Sequence, residues 1–191
     1  PVVTNQTGVI RADTDVTITV EGSNFKSGSV VYVTGAGVNN VERALATTFV
    51  NSSELTADTN AASVNYVGGG SYGVKVVNPS GLSAVLDPAG TVDRNPTWST
   101  SAGNIATWSD KDGAQSASTS ATDPDGDTVT YSLVSGSLPG NSNLNTSTGA
   151  ITSNDPTDVA SSTTYSFTLG ATAAGVTINR SFNIIVNPTA D

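Results

Sequence analysis

Three aspartates, Asp123, Asp125 and Asp127, fall at alternate positions around Gly126 in the stretch ATDPDGDTVTYSL, Ala121 to Leu133. Carboxylates at i, i+2 and i+4 can converge on one hard cation such as calcium, which takes about six to eight oxygen ligands. The helix-flanked calcium loop closes its set with a bidentate glutamate at the twelfth position. Counting Asp123 as the first, that position is Val134, so the stretch is not such a loop. The same residues also write a tight turn. Asp123 can form an Asx-turn, Pro124 presets the bend, and Gly126 supplies a positive φ before the strand. Turn and calcium are compatible readings, because close like charges favour a counter-ion.

Other chemistries find less to work with. The chain has no cysteine and no histidine, which removes thiol and Ser-His-Asp nucleophiles and the usual zinc or iron ligand sets. A glycosidase needs two carboxyls on opposite sides of a scissile bond, one with a raised pKa. Glu21, Glu42 and Glu54 are instead spread over turn-rich stretches of the first half, and the aspartates cluster on loops. The chain therefore reads as a non-enzyme. An exposed indole can stack on a sugar face, which makes Trp108, beside Ser109 and Asp110, the candidate ligand-binding residue. Sequons at Asn5, Asn51, Asn145 and Asn179 matter only in a eukaryotic secretory pathway.

The net charge is −9, and the seven Lys and Arg are scattered, so no basic stripe exists for phosphates or anionic lipid. Nucleic acid is excluded as a partner on that ground. The second half, residues 95–191, holds eight acids against two bases; the first holds eight against five. No apolar run approaches the ~20 residues of a membrane span, and no signal peptide is visible. Lacking methionine and beginning at Pro1, the chain reads as an excised or processed piece of something longer.

The elements that must position these residues are strands. Only 12% of residues are charged, and Ser, Thr, Asn and Gly carry the solubility, a composition of turn-rich β chains. Apolar residues alternate at Val16, Ile18, Val20; at Tyr72, Val74, Val76; at Val129, Tyr131, Leu133; at Tyr165, Phe167, Leu169; and at Phe182, Ile184, Val186. Each run can bury one face and leave the other in water. Turn signals such as EGSNFKSG, VGGGS, NPSG and LPGNSN separate them. VNNVERALATTF is the one window with a helical look, and it is too short to change the class. Asn-Pro-Thr occurs at Asn95 and again at Asn187. Proline after an extended residue makes a stiff, non-helical link. The two motifs therefore read as successive domain junctions, with a further module expected after the second.

Val16 to Val33 (VTITVEGSNFKSGSVVYV), Thr47 to Ala57 (TTFVNSSELTA) and Gly69 to Val85 (GGSYGVKVVNPSGLSAV) resemble the IPT/TIG family of immunoglobulin-like domains. Within them Gly22, Asn24 and Gly28 shape bends, Phe25 plugs a core, and Asn78-Pro79 closes a strand. Ala121 to Leu133, Leu138 to Ser153 and Thr163 to Val186 resemble the putative-Ig, dystroglycan-type cadherin-like family, departing from it at Ser142 and at Ser153 to Pro156. The resemblance implies a core role for Trp98. It also implies that calcium would be shared between linker and loop, with Asp93 and Asn95 joining Asp123, Asp125 and Asp127, although the Asp-Arg-Glu that cadherins place later is replaced by Asp155 and Asp158.

The fold expected is all-β, two tandem immunoglobulin-like antiparallel β-sandwiches spanning 1–94 and 95–191, with a short junction near Asp93 to Pro96. The pairing is similar to modules of bacterial surface proteins and of phage virion structural proteins. It implies a structural or adhesive segment at a virion surface or outside the cell, one that spaces or displays a binding surface. Expected partners are other virion or cell-surface proteins or a host glycan, with no membrane insertion. A glycan- or receptor-binding adhesin module and an accessory domain of an extracellular enzyme are the alternatives.

Overall fold

A computed structural model describes residues 1–111 and 113–189. The chain divides into two compact units, Pro1–Arg94 and Asn95–Asp191.

The first unit contains β1 (Val2–Thr7), β2 (Thr17–Ser23), β3 (Val30–Thr34), β4 (Arg43–Ala44), β5 (Ala46–Asn51), β6 (Glu54–Asp58), β7 (Ser71–Val77) and β8 (Ser83–Thr91). One sheet runs β1-β2-β6-β5 and the other β4-β3-β7-β8, with every ladder antiparallel. The alternating residues face inward as expected. Ile18 and Val20 of β2, Val31 and Val33 of β3, and Val74 and Val76 of β7 are all fully buried. The helical-looking window instead holds a short turn and then β4 and β5, because Asn39 and Asn40 both adopt positive φ and stop any helix at its start.

Phe25 fills the core at 1% exposure. The bend that delivers it is held by Asn78, whose Nδ2 donates to the Asn24 carbonyl (2.9 Å) while its Oδ1 accepts from Ser29 Oγ (2.7 Å). Gly22 is required for a steric reason: a Cβ there would lie 1.9 Å from the Val2 carbonyl oxygen. The unit is closed by a parallel bridge between Arg11 and Asp93, whose buried side chains form an ion pair.

The second unit contains β9 (Thr97–Trp98), β10 (Gly103–Ser109), β11 (Gln115–Ser118), β12 (Ala121–Thr122), β13 (Thr130–Gly136), β14 (Ser142–Leu144), β15 (Ala150–Ser153), β16 (Thr163–Ala173) and β17 (Val176–Asn187). Its sheets run β10-β17-β16-β13, β11-β15-β14 and β12-β9. All pairs are antiparallel except β10 and β17, the first long strand and the last, which run parallel. The second Asn-Pro-Thr motif begins on Asn187, the last residue of β17; Ala190 beyond it lies outside the described residues.

Trp98, Trp108, Tyr131, Ile151, Phe167, Leu169, Phe182, Ile184 and Val186 form the core. Trp98 packs edge-on against Phe182 with ring centroids 5.1 Å apart, and its indole N–H donates to the Ile178 carbonyl. One alternation does not end in burial. Leu133, expected on the same face as Tyr131, is 44% exposed. It lies in register opposite the fully buried Leu169, so it keeps the face of Tyr131 and is exposed because β13 is the edge strand of its sheet, just before a register shift between Leu133 and Ser135.

Candidate functional site

The acidic loop hangs between β12 and β13. Its base is fixed by Tyr131, a buried core residue whose hydroxyl oxygen accepts from the Ala121 N–H (2.9 Å) and donates to the Ala121 carbonyl (3.3 Å). The turn itself is the Asx-turn expected from the sequence. Asp123 Oδ1 accepts the backbone N–H groups of Asp125 (2.9 Å) and Asp127 (3.3 Å), and Gly126 N–H donates to the Asp123 carbonyl (3.2 Å). Gly126 takes φ +89°, a conformation in which a side chain would be strained.

The second oxygen of Asp123 is different. Oδ2 is shielded from solvent and has no hydrogen-bond partner among the described residues. Asp123 and Asp127 each bring a carboxylate oxygen to within 4.8 Å of the other. A carboxylate oxygen removed from water without a partner is costly, and a second carboxylate beside it raises the cost. A cation bound by Asp123 and Asp127 would offset both, and hard oxygen donors of this kind suit calcium.

The other sequence-derived candidates lie as follows. Asp125 is exposed and supplies no oxygen to that pair. Asn95 opens the second unit and is half-buried. Asp93 belongs to the first unit, where its carboxylate engages the Arg11 guanidinium. Of the glutamates, Glu42 pairs with Lys75 (2.9 Å) and Glu21 accepts from Asn5 Nδ2 (3.1 Å).

Trp108 corrects an expectation. It is 2% exposed, not a surface platform, and its indole N–H donates to the Ser116 carbonyl (3.3 Å). Its neighbours Ser109 and Asp110 suggested exposure, but strand alternation turns Trp108 inward, with Thr107 before it exposed and Ser109 after it half-buried. A ring with no free face cannot stack on a sugar.

Asp110, passed over in the sequence as a polar neighbour of Trp108, proves to be a buried organising residue. Oδ1 accepts the hydroxyl and the N–H of Thr189, Oδ2 accepts the Val159 N–H (3.0 Å), and its own N–H donates to the Asn187 carbonyl (3.1 Å). The Thr189 hydroxyl first, then the Val159 and Thr189 amides, hold its pKa down at about 2. Nothing in the local sequence marks it, since its partners lie 49 and 79 residues away.

With this geometry described, family comparison separates the two units. The model described as IPT/TIG domain matches residues 1–89 and the one described as Putative Ig domain matches residues 95–187. The chain is an IPT/TIG domain followed by a Putative Ig domain. Protocadherin gammaB7 EC3-6 is similar over 97% of this chain and 49% of its own, at 16% identity and TM-score 0.43. The titin I-band fragment I67-I69 is similar over 98% and 64%, at 15% identity and TM-score 0.41. An endo-fucoidan hydrolase of glycoside hydrolase family 107 is similar over 95% of this chain at 17% identity and TM-score 0.40, and the chain spans 27% of its length. No protein with a curated description matches the sequence. Tandem IPT/TIG and Ig-like domains fit a non-enzymatic extracellular module, and domains of this class mediate protein–protein interactions. No helix among the described residues is long and apolar enough to cross a membrane.

Proposed function

We propose that this chain is a structural or adhesive segment of a virion-surface or other extracellular protein, which spaces or displays a binding surface without catalysing a reaction. The pairing of two domains of interaction-module type supports this reading. Each unit is closed by its own sandwich core, so tandem copies can be strung as a spacer. Labelling intact virions or cells of the source with an antibody to the chain is expected to decorate their exterior. Label confined to lysed material would refute the placement.

The same reading includes calcium at the acidic loop, held by Asp123 and Asp127. It is carried by the one shielded carboxylate oxygen, Asp123 Oδ2, that has no hydrogen-bond partner among the described residues. Calorimetric titration with calcium, paired with thermal melts in calcium and in chelator, is expected to show binding and a raised melting temperature. Both should be lost in Asp127→Asn, which keeps the turn because Asp127 contributes only its backbone N–H there. No heat and no shift in the unaltered chain would leave the loop a turn alone.

A further inference from the structure

Gly103, Phe182, Phe167 and Gly136 stand in register across the whole sheet β10-β17-β16-β13. Phe182 and Phe167 turn into the core, at 2% and 3% exposure, and the glycines at either end have no side chain. On the outer face this row is therefore bare backbone. The rows beside it are short: Ser135, Thr168 and Ser181 on one bank, Ser166, Asn183 and Asn104 on the other. Larger side chains there would lean over the gap and fill it. With these it stays open, as a groove of about 490 Å³ that crosses the strands. Neighbouring strands lie about 4.8 Å apart, so four of them give it a length of ~14 Å.

We infer that this groove binds a neutral saccharide chain. Arg180 is the only charged residue in the four strands, and it lies opposite the buried Leu169, on the core side, where it donates to the Thr100 carbonyl (2.7 Å). About a quarter of the residues of an ordinary soluble domain are charged, so a whole outer face without charge is a selective feature. A phosphate, sulfate or carboxylate ligand would find no base there, and an ammonium ligand no acid. The banks are serine, threonine and asparagine, which give a lipid or an apolar anchor nothing to bury against. A peptide cannot add as a strand either, because β16 and β17 are central and each is already paired on both sides.

What the groove offers is hydrogen bonding in both directions. Hydroxyl and carboxamide groups each donate and accept, which matches the hydroxyls of a sugar. Thr168 and Ser181 bond to each other (3.1 Å), which orients both and leaves one hydroxyl hydrogen to give. With its amide turned to satisfy its own bonds, Asn104 Nδ2 donates to Asn183 Oδ1 (3.1 Å) and to the Ala106 carbonyl (2.7 Å). Asn183 is thereby fixed at its oxygen, with its amide hydrogens left to donate. The lining presents no exposed aromatic ring, so a single groove binds weakly, and copies displayed together gain by avidity. The inference rests on the proposed display of a binding surface, and names that surface and its ligand.

Heteronuclear NMR of the isotope-labelled chain, in chelator so that calcium plays no part, tests this with cellohexaose, maltohexaose and mannohexaose at up to about 10 mM. At least one should move the amide signals of Gly103, Gly136, Ser181 and Asn183 saturably while those of the first unit stay in place. Asn183→Ala should weaken that binding by about threefold or more. Ser181→Leu, at an exposed position, fills the groove and should abolish the shifts; thermal melts establish that each variant folds. A galacturonate hexamer should move none of these signals. No shift with any of the three neutral hexamers, or shifts as large with galacturonate, would overturn the inference. Shifts of the same amides with protein concentration alone would also overturn it, by making the face a contact between copies. The measurement uses the purified chain, so failure of surface labelling or of calcium binding leaves its outcome unchanged.

Discussion

Replacing Tyr131 by Phe removes one oxygen and tests how the core holds the acidic loop. The Tyr131 hydroxyl satisfies both polar groups of the Ala121 backbone, and both residues are buried, at 6% and 8% exposure. Phenylalanine keeps the ring and its packing against Trp98, whose centroid lies 5.8 Å away. What is lost is a partner for a buried donor and a buried acceptor. Leaving such groups unsatisfied costs about 1–3 kcal/mol. For a domain of roughly 100 residues, each kcal/mol lowers the melting temperature by about 4–8 °C. Calorimetric melting should therefore show the transition of the second unit falling by at least about 4 °C, while that of the first unit stays in place. Faster amide exchange at Ala121 should accompany the shift. A second-unit transition that moves by less than about 1 °C would refute the reasoning, because it would mean that the Ala121 groups find other partners at no cost.

Asp110 provides a pH test. Its carboxylate is held at about 2 against an ordinary 3.8, so the bound form is the charged one and its stabilisation is fully present above about pH 4. As pH falls from there toward 2 the contribution disappears. In Asp110→Asn the carboxylate's contribution is lost at every pH. The gap in melting temperature between the two proteins should be constant above about pH 5 and close as pH approaches 2; a gap unchanged at the acid end would sink the assignment. Ser142 offers the opposite case, since its Oγ is shielded without a hydrogen-bond partner among the described residues. Ser142→Ala removes that orphan and should be neutral or stabilising by up to about 1 kcal/mol in denaturant melts, whereas a clear loss of stability would show that the hydroxyl is satisfied.

The fold was legible where the signal is local. Alternation at Val16–Val20 and Tyr72–Val76 survives in the buried faces of β2 and β7, because a strand's side-chain period is set by its own backbone. The Asx-turn at Asp123 was legible for the same reason, since a side chain meeting amides two and four residues on needs no distant partner. At an edge, alternation did not bring burial: Leu133 pairs in register with the buried Leu169, yet is exposed because β13 is the outermost strand of its sheet.

The site is more divided. Aspartate spacing nominated Asp123, Asp125 and Asp127 alike, yet only the packed chain separates Asp125, exposed, from Asp123, whose Oδ2 is shielded. Trp108 and Asp110 exchanged roles for a related reason: burial is a property of what lies opposite, and Asp110 meets Val159 and Thr189 only once β10 has paired with β17. Composition and period by themselves determined an acidic, histidine-free, all-β chain, and the repeated Asn-Pro-Thr with the family resemblance divided it into two sandwiches, because charge, side-chain chemistry, strand alternation and local motifs are written residue by residue. The tertiary structure alone decided which carboxylate is buried, which indole is covered and which strands run parallel, because each depends on contacts between segments tens of residues apart, whose pairing is set by closure of the whole core.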